Sequence, residues 1–181
     1  MAHIQLNNDL PGIVGLFNFR PETADPLSAL AETLLVHENS LTRGEREMIA
    51  SSVSYWNDCH FCHSSHGAAA ANLLNEPVDF LTEIKKGFPN IDVSPKIRAL
   101  LRIARQVQKG GKHVTEEDIQ NARDAGATDT EIHDTVLIAA AFCMYNRYVD
   151  GLATWAPKDD ADFMPMGQML AERGYIGAGV E

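Results

Sequence analysis

Helix-opening signals recur along this chain, and what lies between them keeps a helical period. Thr42-Arg43-Gly44-Glu45 has the form of a capping box, in which a threonine hydroxyl and a glutamate three residues later satisfy each other's backbone N–H groups. Asp25-Pro26 and Ser94-Pro95 pair a cap residue with a proline suited to a first turn, and Thr115-Glu116-Glu117-Asp118 opens another helix. Behind these starts the apolar residues fall three and four apart: Leu27, Leu30 and Leu34; Ile49, Val53 and Trp56; Ile97, Leu100, Leu101, Ala104 and Val107. No stretch between turn signals sustains the two-residue alternation of a half-buried strand. The fold class expected is all-α, a compact multi-helix domain.

The spacing predicts helices from about Asp25 to His37, from Thr42 to Trp56, across the segment after Asp58, and from Pro77 to Gly87. Further helices are expected from Ser94 to Gly110, from Thr115 to near Gly126, from about Thr130 to Thr154 and from about Ala161 to Arg173, with Pro165 weakening the last start. Residues 1–24 read as an irregular arm, because Leu10-Pro11-Gly12 and Arg20-Pro21 interrupt any period. The turn-rich stretch from Pro89 to Pro95 separates two halves too short to bury cores alone. One domain over residues 1–181 is therefore expected.

The formal net charge of −10 opposes nucleic-acid phosphates and anionic membranes, and the basic residues form no patch. Neither is an expected partner. No apolar run reaches membrane-spanning length, and the N-terminus has no signal-peptide pattern, so a cytoplasmic protein is expected. Three cysteines, only two of them close in sequence, do not make a disulfide framework. Cys143, among Ala139 to Met144, reads as a buried inert thiol.

Cys59 and Cys62 form a C-x-x-C pair inside Asn57-Asp58-Cys59-His60-Phe61-Cys62-His63-Ser64-Ser65-His66. Such a pair can close a redox disulfide or supply half of a zinc site. With Asp58 as N-cap, both sulfurs lie near a helix N-terminus, where free N–H groups and the helix dipole favour a thiolate. His63 follows Cys59 by four and His66 follows Cys62 by four, so an imidazole shares a helix face with each sulfur. Glu47 lies on the preceding helix, and a turn at Asn57-Asp58 can fold it back toward His66. A carboxylate there fixes the imidazole's tautomer and raises its basicity.

Glu47, eleven residues, Cys59-x-x-Cys62, three residues and His66 together resemble the core signature of the alkylhydroperoxidase-D-like family, within the carboxymuconolactone decarboxylase superfamily. Leu41-Thr42, Glu45-Arg46-Glu47, Asn146-Arg147 and Asp150-Gly151 are similar to its flanking text, and length and helix order look like its peroxidase-related branch. The resemblance implies an all-α fold, homo-oligomers (trimers or hexamers) and thiol peroxidase activity without a cofactor or metal. It implies that Cys62 attacks a peroxide, Cys59 resolves the sulfenic acid as a disulfide, and Glu47 with His66 relays protons. An external dithiol, a lipoyl or thioredoxin-like protein, would then reduce the disulfide. The decarboxylase branch lacks the paired cysteines. The pattern departs at Phe61, where founding-type peroxidases carry a histidine; His60 beside it would point about a quarter-turn away.

Each residue also has an ordinary role to weigh. His60 and His63 suit surface or pocket-rim positions, and Trp56 suits the core or a pocket wall. Tyr145, Asn146, Arg147 and Asp150 suit a buried or intersubunit polar network. Two other functions remain open on the residues: a dithiol oxidoreductase or redox sensor with little peroxidase activity, and a metal-binding structural protein. Zinc would need two further ligands, which His63 and His66 offer only in a strained arrangement on one helix.

Overall fold

A computed structural model describes residues 2–90 and 92–176; the two ends of the expected 1–181 domain lie outside them. Among the described residues the regular structure is helical. In chain order it comprises α1 (Gly12–Phe19), α2 (Pro21–Leu35), α3 (Arg43–Trp56), α4 (His60–Leu74), α5 (Val78–Gly87), α6 (Pro95–Lys109), α7 (Glu116–Asp124), α8 (Asp129–Gly151) and α9 (Met164–Arg173). Short 3-10 turns precede α7 and α9.

The cap signals act as their chemistry requires. Thr42 accepts from the Glu45 N–H at 3.2 Å while the Glu45 carboxylate accepts from the Thr42 N–H at 2.8 Å. Thr115 and Asp118 make the same reciprocal pair, and Ser94 accepts from the Ile97 N–H above Pro95.

The second half of the expected arm over residues 1–24 is helical, in α1 and the start of α2. Pro11 sits before α1, and Pro21 occupies the first turn of α2 rather than ending a loop. Pro26 lies inside α2, so the helix begins one turn earlier than Asp25-Pro26 suggests. A proline reads alike as breaker and as first-turn residue; here packing chose the second. Gly12 lets α1 start hard against the motif: its φ is +53°, and a Cβ there would overlap the Phe61 ring.

α3 and α4 form an antiparallel hairpin, and the link between them carries the first cysteine. Asp58 is not the N-cap of α4. It takes the left-handed conformation (φ +61°) as the C′ residue of α3. The Asp58 N–H bonds to the Tyr55 carbonyl and the Cys59 N–H to the Ser54 carbonyl, each at 3.0 Å, which is a Schellman ending. Cys59 thus closes α3 and stands at the N-cap position of α4. Behind the turn the Asn57 amide donates to Asn146 at 2.8 Å and accepts from Gln108 at 3.0 Å, tying it to α8 and α6.

Ala68 to Ala71 on α4 are buried, and α9 lies so close that a Cβ on Gly167 would overlap Ala68. The main core gathers Leu35, Ile49, Val53, Leu100, Ile103, Ile138 and Phe142 between α2, α3, α6 and α8. No helix among the described residues is long and apolar enough to cross a membrane.

Candidate functional site

Glu47 on α3 meets His66 on α4, Cys62 stands one helical turn before His66, and Cys59 lies in the turn between the two helices. Both cysteines are free thiols, with Cys59 0% and Cys62 3% exposed. They share a hydrogen bond, and that bond together with burial pushes the Cys59 thiol up. Asp150, near the end of α8, faces the same thiol. Burial pushes the Asp150 carboxyl up, and the hydrogen bond it accepts from Cys59 works against that shift.

Glu47 is 1% exposed and spends both oxygens on the site. Its Oε2 accepts from His66 Nδ1 at 2.7 Å, and its Oε1 accepts from the Tyr175 hydroxyl. A buried carboxylate is tolerable only when its acceptors are filled, and these two donors fill one each. With Nδ1 carrying the proton toward Glu47, Nε2 is the imidazole's remaining basic nitrogen. Phe142 meets the His66 ring edge-on at 4.6 Å, and Tyr175 stacks on it at 5.8 Å with 14° between planes. The ring is fixed from three sides.

Cys62 and His66, one helical turn apart, both line an apolar cavity of about 90 Å³. Phe17, Phe61, Met166 and Tyr175 supply other parts of its wall. Cys59 is not in that wall. The cavity therefore presents one thiol and one imidazole to anything that enters.

The motif's other histidines serve different surroundings. His60 Nε2 lies 2.8 Å from the Pro157 carbonyl, and its ring meets Phe163 edge-on. His63, one turn beyond Cys59, turns its ring to Tyr55 instead. Burial, then Lys85 and His60, hold its pKa down at about 4. Trp56 packs on Phe88 with the Arg105 guanidinium 4.8 Å from its ring, away from the cavity.

Cys143 is half-buried rather than buried, and Asn57 Nδ2 lies 3.5 Å from its sulfur. Asn146 joins the expected polar network through Asn57 and Ser54, and Tyr145 donates to the Leu27 carbonyl at 2.9 Å. Arg147 is exposed and bonds back to the Cys143 carbonyl at 2.7 Å. Among the described residues, no group of three or more His, Cys, Asp or Glu side chains is gathered as a metal ion needs.

Two polar contacts of the site, Tyr175 with Glu47 and Asp150 with Cys59, have no signal in the sequence. Tyr175 follows Gly174 far along the chain, with no spacing to link it to Glu47. Asp150 was visible in the late helix, but nothing local relates it to Cys59.

The model of the carboxymuconolactone decarboxylase family matches residues 21–80. Among solved structures, the chain is similar to an alkylhydroperoxidase AhpD core, an uncharacterized peroxidase-related protein from Ralstonia eutropha JMP134. The identity is 30% and the TM-score 0.77, over 88% of this chain and 82% of that one. It is also similar to an uncharacterized peroxidase-related protein from Silicibacter sp. TM1040, at 26% identity and a TM-score of 0.76, over 85% of this chain and 78% of that one. A comparison with curated proteins finds no match.

Proposed function

The chain belongs to the alkylhydroperoxidase-D-like part of the carboxymuconolactone decarboxylase superfamily, and on that footing we propose that it is a thiol peroxidase acting on hydrogen peroxide or small alkyl hydroperoxides. The observation that carries this reading is the placement of Cys62 beside His66 in an apolar cavity, with Glu47 behind the imidazole. A peroxide needs a thiolate to attack one oxygen and a proton donor for the oxygen that leaves.

In the proposed cycle, His66 Nε2 takes the Cys62 proton and Glu47 steadies the imidazolium. The thiolate attacks the peroxide; an S–O bond forms, the O–O bond breaks, and the leaving alkoxide or hydroxide takes the proton back from His66. Cys62 is now a sulfenic acid, oxidised by two electrons. Cys59 then attacks that sulfur; the S–S bond forms, the S–O bond breaks, and the hydroxyl leaves as water with the Cys59 proton. An external dithiol returns both cysteines to thiols by exchange and is itself oxidised to a disulfide. With both sulfurs buried, a slender small-molecule peroxide is the better fit for the oxidising step.

Stopped-flow measurement of peroxide consumption with dihydrolipoamide as reductant tests this. Wild type should turn over, and Cys62→Ser should lose activity while keeping the wild-type circular dichroism spectrum. Equal rates in the two proteins would end the proposal.

A further inference from the structure

Phe61 puts a hydrocarbon ring into the cavity wall beside Cys62, so the relay must draw its polar partners from elsewhere in the fold. One comes from the far end of the chain. After α9 the backbone turns at Gly174 (φ +74°), where a Cβ would press into the Glu32 carboxylate. The next N–H, that of Tyr175, donates to Glu32 Oε2 at 2.7 Å. This anchor on α2 turns the Tyr175 ring inward until it is 9% exposed. Its hydroxyl donates to Glu47 Oε1, its oxygen lies 3.1 Å from His66 Nδ1, and its ring stacks on the imidazole.

The consequence lies in which atom of His66 is left free. While Glu47 is a carboxylate with Oε1 filled by the phenol, Oε2 accepts the Nδ1 proton and Nε2 keeps its lone pair. Without the phenol, Oε1 is a buried acceptor with no partner, and the carboxylate regains stability by taking a proton. A protonated Glu47 can donate to Nδ1, which moves the ring proton to Nε2 and closes the nitrogen that Cys62 needs. We propose that Tyr175 is a positioning residue of this site: by holding Glu47 Oε1 it keeps His66 in the tautomer that accepts the Cys62 proton.

The inference rests on Cys62 being the reacting thiol, and it requires Tyr175 to stay a donor. Burial and the Glu47 charge do keep the phenol protonated, well above its usual range. The other titratable groups facing the cluster are Arg43 and Arg46 on α3, Glu32 on α2, Cys62 on α4 and Tyr145 on α8. Tyr175→Phe leaves all of these in place and removes one oxygen.

The test is the pH profile of Cys62 alkylation by iodoacetamide in a Cys59→Ser background, which reads thiolate formation without any peroxide. Tyr175→Phe should move the rise of the profile to higher pH by about one unit, because a Glu47 that has taken up a proton no longer steadies the imidazolium and leaves His66 a poorer base. Glu47→Gln should shift the profile the same way, and adding Tyr175→Phe to it should shift it little further, since both act through one carboxylate. A Tyr175→Phe protein with a lower Tm but an unmoved profile, or shifts that add in full, would overturn the proposal. Should that variant not fold, 15N NMR of His66 in the otherwise wild-type protein decides: Nδ1 protonated and Nε2 bare supports the inference, and the reverse tautomer sinks it. A wild type that consumes no peroxide but shows the shift would remove the peroxidase reading and leave Tyr175 its role.

Discussion

Cys59 and Cys62 carry the same thiol into different surroundings. Cys59 is sealed in the α3–α4 turn, hydrogen-bonded to Cys62 and faced by Asp150, and its proton is held. Cys62 stands in the cavity wall with His66 one turn away. The reactive form of a cysteine is its thiolate, and it must stand where an entering peroxide and a base can both reach it. That asymmetry argues for attack by Cys62 and resolution by Cys59. Removing the resolver should then strand the attacker. Cys59→Ser should consume one equivalent of peroxide and stall, with Cys62 as a sulfenic acid that dimedone traps and mass spectrometry locates. Cys62→Ser should give no adduct, and an adduct on Cys59 instead would reverse the assignment.

At the scale of elements, α5 docks on α4 through a lysine that resists its own charge. Lys85 is 8% exposed, and its Nζ lies 3.4 Å from the His63 carbonyl. Burial pushes its pKa down to about 8, with Asp160 pulling the other way. A folded pKa below the unfolded one means that the unfolded chain binds more protons between about pH 8 and 10.5, so stability rises with pH across that window. Below it the cost of the buried ammonium is fully present. Lys85→Met should therefore stabilise the protein at pH 7 by about 2 kcal/mol, a figure that allows for the lost bond to His63. Urea titrations should show the gain fading as pH rises toward the unfolded lysine's pKa. His63 follows the same logic on the acid side. Its pKa of about 4 lies below the unfolded 6.5, so the stability tied to its neutral ring is lost as pH falls through that interval. Because Lys85 helps to depress His63, Lys85→Met should also soften this acid loss. Equal stabilities of variant and wild type at pH 7 would refute the account.

Such element-level contacts divide what the sequence discloses from what it does not. The capping boxes of α3 and α7 and the Ser94-Pro95 start are written in adjacent residues, because the groups they satisfy lie within one turn. So is the sharing of a helix face by Cys62 and His66. The Glu47–His66 pair needed only one short turn to be inferred. Asp58 misled because an aspartate serves equally as N-cap and as a left-handed C′ residue, and the Schellman bonds that chose the second belong to α3. The start of α2 misled for the like reason that Pro21 and Pro26 each suit a first turn. The seating of α5 by Lys85 has no local signal at all.

For the whole molecule, the site is assembled from both ends of the chain. Phe17 comes from α1, Tyr175 from beyond α9, and the thiol and imidazole from α4 near the middle. Contacts between such distant positions leave no spacing to read, which is why the motif located the chemistry and not the cavity. The cavity has its own consequence. Its wall is mostly apolar and its volume about 90 Å³. An engineered apolar cavity of about 150 Å³ accepts benzene, so this one has room for a short alkyl group and not for an aryl one. Each methylene that leaves water for such a wall gains about 0.8 kcal/mol, or roughly fourfold in kcat/KM when the contact is made in the transition state. For the proposed peroxidase, kcat/KM should climb from hydrogen peroxide to ethyl hydroperoxide to tert-butyl hydroperoxide, then fall at cumene hydroperoxide. Phe17→Ala enlarges the wall on the α1 side without touching Cys62, Cys59, His66, Glu47 or Tyr175. It should lift the cumene hydroperoxide value selectively and leave the hydrogen peroxide value near wild type. A series flat across the four peroxides would show that the substrate never enters the cavity, and a uniform fall in Phe17→Ala would mean that α1 supports the fold rather than selecting the substrate.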